Sequence, residues 1–259
     1  MKNMQIKKLK NSINPGDLFE LGSHKLLCGD AKDKNTMNIL IGNNKIKAII
    51  SDPPYSIDYV ASKRGFKQKI AKEKDIIGDQ FQSEDDYRKF TKDWLDCVLP
   101  YLEKKNSIYI FNCDKMVFAL KQGMEDAGLY FSQLLIWVKS HAVVGRKDYL
   151  PQHELIAYGW KKTHEFRKAK DKSVLFAPKP NKSTLHPTMK PISLLRKIIL
   201  NCSNLGDFVY DPFGGSGSLL IAAEQTKRRC LMAELDPEYC QTIIDRFEKL
   251  SRAKAKKIN

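Results

Sequence analysis

Apolar and polar positions along this chain switch between two periods. Short apolar runs at Lys25–Cys28, Lys47–Ser51 and Ser107–Phe111 have the length of strands and end on Gly29-Asp30, Asp52-Pro53-Pro54-Tyr55 and Asn112. Between the second and third runs, apolar or aromatic side chains at 87, 90, 94, 95, 98 and 102 follow a helical spacing, which predicts a helix over Tyr87–Leu102. A second amphipathic helix is predicted over Lys115–Ala127, stopped by Gly128. Phe131–Lys139 and Glu154–Trp160 read as strands with no helical pattern between them, so an antiparallel pair is expected there. A helix over Thr188–Cys202 accepts Pro191 only in its first turn. Strand Phe208–Tyr210, helix Ser218–Thr226, strand Cys230–Ala233 ending at Glu234, and helix Pro237–Leu250 complete the pattern.

Strands and helices in alternation predict an α/β fold whose mostly parallel sheet is covered on both faces. In such sheets, ligands bind beyond the carboxyl ends of the strands. The chain shows no internal repeat and no low-complexity linker, and 259 residues can bury one sizeable core, so residues 1–259 are expected to form a single domain. Its longest apolar stretches, such as Ile108–Phe111 and Leu134–Val138, fall far short of the ~20 residues of a bilayer-spanning helix. With no secretory pattern after Met1, a cytoplasmic protein without membrane association is expected. The six cysteines include no Cys-x-x-Cys pair and no nearby histidine spacing, which argues against a metal site and a disulfide framework.

Chemistry gathers at the predicted strand ends. Asp30, Asp52, Asp211 and Glu234 each follow an apolar strand by a few residues at most. Four acids on one rim repel unless a cation or a set of donors lies among them. Each could instead cap the helix that follows. Gly214-Gly215-Ser216-Gly217 lets backbone approach a ligand closely, yet it lacks the Gly-Lys-Ser/Thr of a phosphate loop. It also has Leu220 where a dinucleotide fingerprint needs Gly or Ala. Among acids, such a loop suits a nucleoside that carries positive charge, with Glu234 placed as a ribose-binding acid would be. In Asp52-Pro53-Pro54-Tyr55 the prolines stiffen the exit from the sheet and lack N–H donors. What remains is a carboxylate, free carbonyls and an aromatic face, a set able to accept both hydrogens of an amino group on a planar ring.

Charge adds a partner. There are 45 Lys and Arg against 30 Asp and Glu, a net +15 that attracts polyanions. The excess is local: residues 1–10, 60–74, 161–190 and 246–259 carry 25 bases and 4 acids, or +21, which leaves −6 on the rest. Lysine-rich ends are often solvated tails, but the two internal segments are candidates for contact with a nucleic acid.

Together, Asp52-Pro53-Pro54-Tyr55 and Asp211-Pro212-Phe213-Gly214-Gly215-Ser216-Gly217 resemble the S-adenosylmethionine-dependent amino DNA methyltransferases. The glycine motif follows the Pro-Pro-Tyr motif by about 160 positions, the circularly permuted order of the β class. His24–Asp30, Ile136–Lys139, His153-Glu154 and His186–Pro191 fit the same pattern, and the likeness spans roughly residues 17–250, nearest to small phage- and prophage-type enzymes. The resemblance implies a Rossmann-like methyltransferase fold with a mostly parallel seven-stranded sheet and one antiparallel strand. It implies S-adenosylmethionine, a net cation, held by Asp211 and by Phe213, Gly214, Gly215, Ser216 and Gly217 along methionine and ribose. Glu234 would take the ribose hydroxyls, Asp30 the adenine amino group, and Thr188 and Lys190 would lie near the methionine carboxylate. Asp52, Pro53, Pro54 and Tyr55 would form the catalytic set, Asp52 also bordering the cofactor, around a base flipped out of double-stranded DNA. Residues 56–80 would be a mobile DNA-contacting loop carrying Lys63, Arg64, Lys67 and Lys69. Residues 161–185 would be a short target-recognition segment carrying Lys161, Lys162, Arg167 and Lys168. Lysine in these segments suits phosphate positioning more than base reading. At about two dozen residues the recognition segment is shorter than full-sized recognition domains, which points to a short target or to help from a second subunit. A homodimer and a cognate restriction endonuclease are the further partners this implies, in a bacterial or phage-infected cell.

Within that family, Asp at position 52 favours adenine-N6 over cytosine-N4 as the target. A protein or RNA amino-methyltransferase shares the Pro-Pro-Tyr logic with the unpermuted order. A non-catalytic nucleic-acid-binding protein on the same scaffold is the reading from another class, and the intact Asp52, Tyr55 and glycine loop speak against it.

Overall fold

The computed structural model describes residues 13–56, 79–80, 82–142, 148–168, 171–178 and 189–259. The strands are β1 Leu18–Leu21, β2 His24–Cys28, β3 Ile46–Ser51, β4 Leu102–Asn112, β5 Tyr130–Val138, β6 His153–Trp160, β7 Val174–Phe176, β8 Phe208–Asp211, β9 Arg229–Glu234 and β10 Lys256–Lys257. The helices are α1 Lys34–Ile41, α2 Glu84–Val98, α3 Val117–Asp126, α4 Ile192–Cys202, α5 Ser218–Gln225 and α6 Pro237–Ser251.

One sheet holds all ten strands in the order β10-β1-β2-β9-β8-β3-β4-β6-β5-β7. The run β2-β9-β8-β3-β4 is parallel, and β6 lies antiparallel between β4 and β5. Those seven strands are the expected sheet with its antiparallel member. The three further strands lie at its edges: β1 and β10 pair antiparallel beyond β2, and β7 pairs parallel with β5. They are too short for their period to show in the sequence. Helix α1 also goes beyond the pattern, with Met37, Leu40 and Ile41 buried on one side.

Alternate strand residues feed two cores. On one face Ala48, Ile50, Tyr109, Phe111, Cys230 and Met232 pack with α4, α5 and α6. On the other, Ile49, Ile108, Ile110, Leu231 and Ala233 pack with α1, α2 and α3. Burial on both faces is what a parallel sheet requires, and it accounts for the continuous apolar runs in β3 and β9. Two helix boundaries differ from the sequence expectation. Helix α2 begins at Glu84 because Ser83 caps it and three acids occupy its first turn, and it ends at Val98 in a 3-10 turn containing Pro100. Strand β4 then starts at Leu102, five residues before the apolar run that begins at Ser107. Helix α4 starts at Ile192 because Pro191, with ψ of 130°, is its extended cap.

The order places β8 between β9 and β3, so strands about 160 positions apart in sequence become neighbours. From β3 the chain winds toward β4, and from β8 it winds toward β9. The reversal opens a crevice at the carboxyl ends of β3 and β8, the place where such sheets bind ligands. On the glycine side the crevice depends on Gly217, the cap of α5, which has φ of +78°. A Cβ there would lie 2.9 Å from the Ile243 side chain, in a conformation that L-residues rarely adopt. We expect Gly217→Ala to lose about 1–3 kcal/mol of stability by chemical denaturation. An unchanged unfolding midpoint would show that this turn tolerates a side chain.

Candidate active site

The carboxyl ends of the five parallel strands and the start of β6 meet around a cavity of about 430 Å³. Its lining includes Asp30, Asp52, Pro53, Pro54, Tyr55, Lys190, Asp211, Phe213, Gly214, Gly215, Ser216 and Glu234. The structure thus gathers these expected residues from positions up to two hundred apart in the chain. Gly217 stays outside the lining and serves the packing just described. Thr188 and the expected loop residues Lys63, Arg64, Lys67 and Lys69 lie outside the described residues.

The four rim acids are not helix caps. Helix α1 is capped by Asp33, α5 by Gly217 and α6 by Asp236, while Asp52 precedes an extended segment. Their carboxylates are therefore turned to other uses. Glu234 receives the Gly215 N–H at 2.6 Å and the Asp236 N–H at 2.8 Å, which ties the glycine loop to the end of β9. Burial pushes the Glu234 carboxyl up to about 7, against the pull of these donors. Burial likewise holds the Asp211 carboxyl well above the usual range, with the nearby charges of Asp52 and Glu234 adding to it. Asp30 is more exposed and accepts the Lys32 N–H at 2.9 Å. Arg246 of α6 binds the Ser216 carbonyl and, at 3.1 Å, its hydroxyl, so the loop is held from behind. Phe213 packs 5.7 Å from both Phe90 and Trp94, anchoring the other side of the loop to α2.

Across the crevice the second group is more tightly organised than the sequence suggested. The Tyr55 hydroxyl donates to Asp52 Oδ1 at 2.6 Å and lies 3.3 Å from Glu154 Oε2. Lys190 Nζ stands 2.5 Å from Asp52 Oδ2 and 3.2 Å from Glu154 Oε2, and Lys139 Nζ is 2.9 Å from Glu154 Oε1. Lys190 was expected beside the methionine carboxylate; here its ammonium is engaged by two protein carboxylates and lies 5.4 Å from the Tyr55 ring centre. The segments containing Lys139 and Glu154 stood out in the sequence, but no role attached to either residue. They face each other because β5 and β6 pair antiparallel, with Trp137 opposite Glu154, and that pairing carries no local signature.

The expected DNA contacts Lys161, Lys162, Arg167 and Lys168 do not surround this cavity. Strand β6 runs antiparallel, so the residues after it emerge at the other end of the sheet. Lys161 exchanges hydrogen bonds with Asn106, six residues before the end of β4 and hence roughly 20 Å from the rim. Arg167 binds the Asn201 carbonyl through its backbone N–H, and Glu165 pairs with Lys47 at the start of β3. Only at β7 does the segment return to the cavity end, where the Ala177 carbonyl accepts from the Trp137 indole at 2.9 Å.

Among the described residues, no group of three or more His, Cys, Asp or Glu is arranged to hold a metal, and no helix is long and apolar enough to cross a membrane. All six cysteines are free. The site thus combines an α/β switch point, a glycine loop beneath an acidic rim and an acceptor cluster facing it. Residues 46–245 match the N6/N4 type of DNA methylase, and the chain belongs to that family. It is 26% identical over 255 residues to the Type II methyltransferase M.HpaI of Haemophilus parainfluenzae, covering 86% of this chain and 74% of that one. It is 24% identical over 261 residues to the Type II methyltransferase M1.MboII of Moraxella bovis, covering 83% and 92%. The solved M1.HpyAVI–SAM complex superposes with a TM-score of 0.63 at 25% identity, covering 85% of this chain and 98% of that one. The PvuII DNA methyltransferase, described as cytosine-N4-specific, shares the fold with a TM-score of 0.67 at 16% identity, covering 89% and 91%.

The raised Glu234 carboxyl has a pH consequence. Between about pH 4.5 and 7 the unfolded chain has released this proton while the folded chain retains it. Its contribution to stability is therefore full below that window, falls as pH rises through it and is level above, by roughly 3 kcal/mol in all. Denaturation from pH 4.5 to 8 should show this loss in the wild type and not in Glu234→Gln. A wild-type-minus-variant difference that is independent of pH would refute it.

Proposed function

We propose that this amino DNA methyltransferase transfers a methyl group from S-adenosylmethionine to the exocyclic N6 of adenine in double-stranded DNA, at a specific sequence and on a base turned out of the helix. The observation that carries the reading is the juxtaposition of two unlike half-sites on neighbouring strands, an acidic glycine-loop pocket after β8 and β9 and an acceptor cluster after β3. The pocket suits the cofactor. Its volume is in the range of small-molecule sites, and its rim acids are free of capping duty and complement a net cation. Asp30, Asp211, Phe213, Gly214, Gly215, Ser216 and Glu234 would hold it, with Glu234 on the ribose hydroxyls. The cofactor supplies an electrophilic methyl on a sulfonium sulfur.

The chain's own work is positioning and charge. Asp52 and the Pro53 carbonyl accept the two N–H bonds of the target amine, and neither proline offers a competing donor. Held this way, the amine nitrogen points its lone pair along one direction, and Tyr55 supplies a ring face to the base. As the nitrogen takes the methyl, whose bond to sulfur breaks to leave a neutral thioether, it gains positive charge that the Asp52 carboxylate offsets until one N–H proton is released to solvent. Phosphate contacts belong to elements at the cavity end of the sheet.

Incubation with labelled donor and double-stranded DNA, followed by nucleoside mass spectrometry, should give N6-methyladenine. N4-methylcytosine as the product would reverse the choice of base. Asp52→Ala should lower the transfer rate on the order of a hundredfold or more while DNA affinity changes little. Normal turnover would mean that the target amine binds elsewhere.

The remote position of Lys161 and Lys162 generates a separate expectation. Their double replacement by Ala should leave DNA affinity and its dependence on salt unchanged. A salt slope reduced by about two would place phosphates at that end of the sheet.

A further inference from the structure

Two lysines and two carboxylates are desolvated together beside the proposed amine site. Lys190 is 5% exposed and Lys139 6%, while Glu154 is 19% and Asp52 24% exposed. Lys190 bridges both carboxylates, and Lys139 reaches Glu154 from the strand next to it. With both carboxylates ionised the four groups sum to zero in charge; burial and the Glu154 charge raise the Asp52 carboxyl, and Lys190 and Tyr55 oppose this. Without Glu154, the Lys190 ammonium would belong to Asp52 alone, and Lys139 would stand as an uncompensated buried cation. Both consequences oppose a reaction in which the target nitrogen becomes positive and the methyl donor is already a cation.

We propose that Glu154 is a positioning residue for methyl transfer: by sharing Lys190 with Asp52 and neutralising Lys139, it keeps the amine site free of net positive charge so that Asp52 can stabilise the amine as it is methylated. The inference rests on the amine-methylation reading above and assigns the charge balance within that site. Burial alone would raise the Glu154 carboxyl, but Lys190 and Lys139 hold it below the usual range, so the counter-charge is present at every ordinary assay pH. The Tyr55 hydroxyl, between the two carboxylates at 2.6 and 3.3 Å, has a second acceptor when the target amine takes up Asp52.

The test separates charge from shape. Glu154→Gln keeps the outline and makes the cluster +1; Lys139→Met makes it −1; the double variant restores zero. One readout is the affinity for S-adenosylmethionine relative to S-adenosylhomocysteine, which lacks the sulfonium charge, measured by calorimetry without DNA. Glu154→Gln should lower that ratio about tenfold, Lys139→Met should raise it, and the double variant should return it near the wild-type value. The second readout is turnover on DNA: kcat should fall about tenfold or more in Glu154→Gln with little change in the KM for DNA, and most of it should return in the double variant. If Glu154→Gln does not fold, Lys139→Met and the double variant still give the opposed and restored ratios. Losses that simply add in the double variant, or a ratio indifferent to all three changes, would overturn the proposal. Failure of the wild type to methylate DNA would count against the amine reading and leave the cofactor ratio as an independent measure.

Discussion

Five strands running in one direction from β2 to β4 bring their carboxyl ends to a single rim, and every group with chemistry to perform depends on that alignment. Backbone carbonyls and exit loops collect there while the helices return along both faces. Because β8 sits between β9 and β3, the glycine loop and the Asp52 tetrapeptide face each other across one crevice although about 160 positions separate them. Moving either strand by one place in the order would leave both motifs intact and the site dismantled.

The rim concentrates carboxylates, and the molecule handles them in two ways. On the side proposed to hold the cofactor, Asp211 and Glu234 are buried, their hydrogen-bond donors among the described residues are backbone N–H groups, and their ionisation is suppressed. A cation arriving there favours the charged carboxylates, so part of its binding free energy goes into releasing their protons. On the amine side Asp52 and Glu154 are paired with two lysines. A buried ion pair is weak evidence for stability, since desolvation offsets much of the attraction. Four such groups in a small volume are better understood as setting a local potential than as holding the fold together.

What could be read in the chain beforehand follows the range of the interactions. Asp211 to Gly217 and Glu234 lie on consecutive strands joined by one helix, so local pattern placed them together. Asp52 to Tyr55 was legible because two prolines mark the exit of an apolar run. Glu154 and Lys139 were not, because their meeting depends on the register of β5 against β6, which no short motif encodes. Lys161, Lys162, Arg167 and Lys168 were expected to contact DNA from the target-recognition segment, and the direction of β6 puts Lys161 at the end of the sheet away from the cavity. Lys190 was assigned to this cavity without its protein partners, since Asp52 and Glu154 come from the ends of β3 and β6 and leave no trace near position 190.

The two half-sites also differ in how freely they can change. Asp30 apart, the side proposed to hold the cofactor is built within about two dozen residues of contiguous chain, where Gly214 meets Met232 and Ile243 and Gly217 meets Ile243. Alteration there disturbs backbone. The amine side draws one or two side chains each from β3, β5, β6 and the lead into α4, joined only through charge and hydrogen bonds. Side chains in such a set can be exchanged while the sheet beneath stays fixed, provided that the local charge still balances. This division is consistent with a common fold persisting to a TM-score of 0.67 at 16% identity with the PvuII enzyme. Keeping the scaffold and keeping the charge balance at the site are then separate physical problems, the first solved by packing behind the rim and the second by a few side chains in front of it.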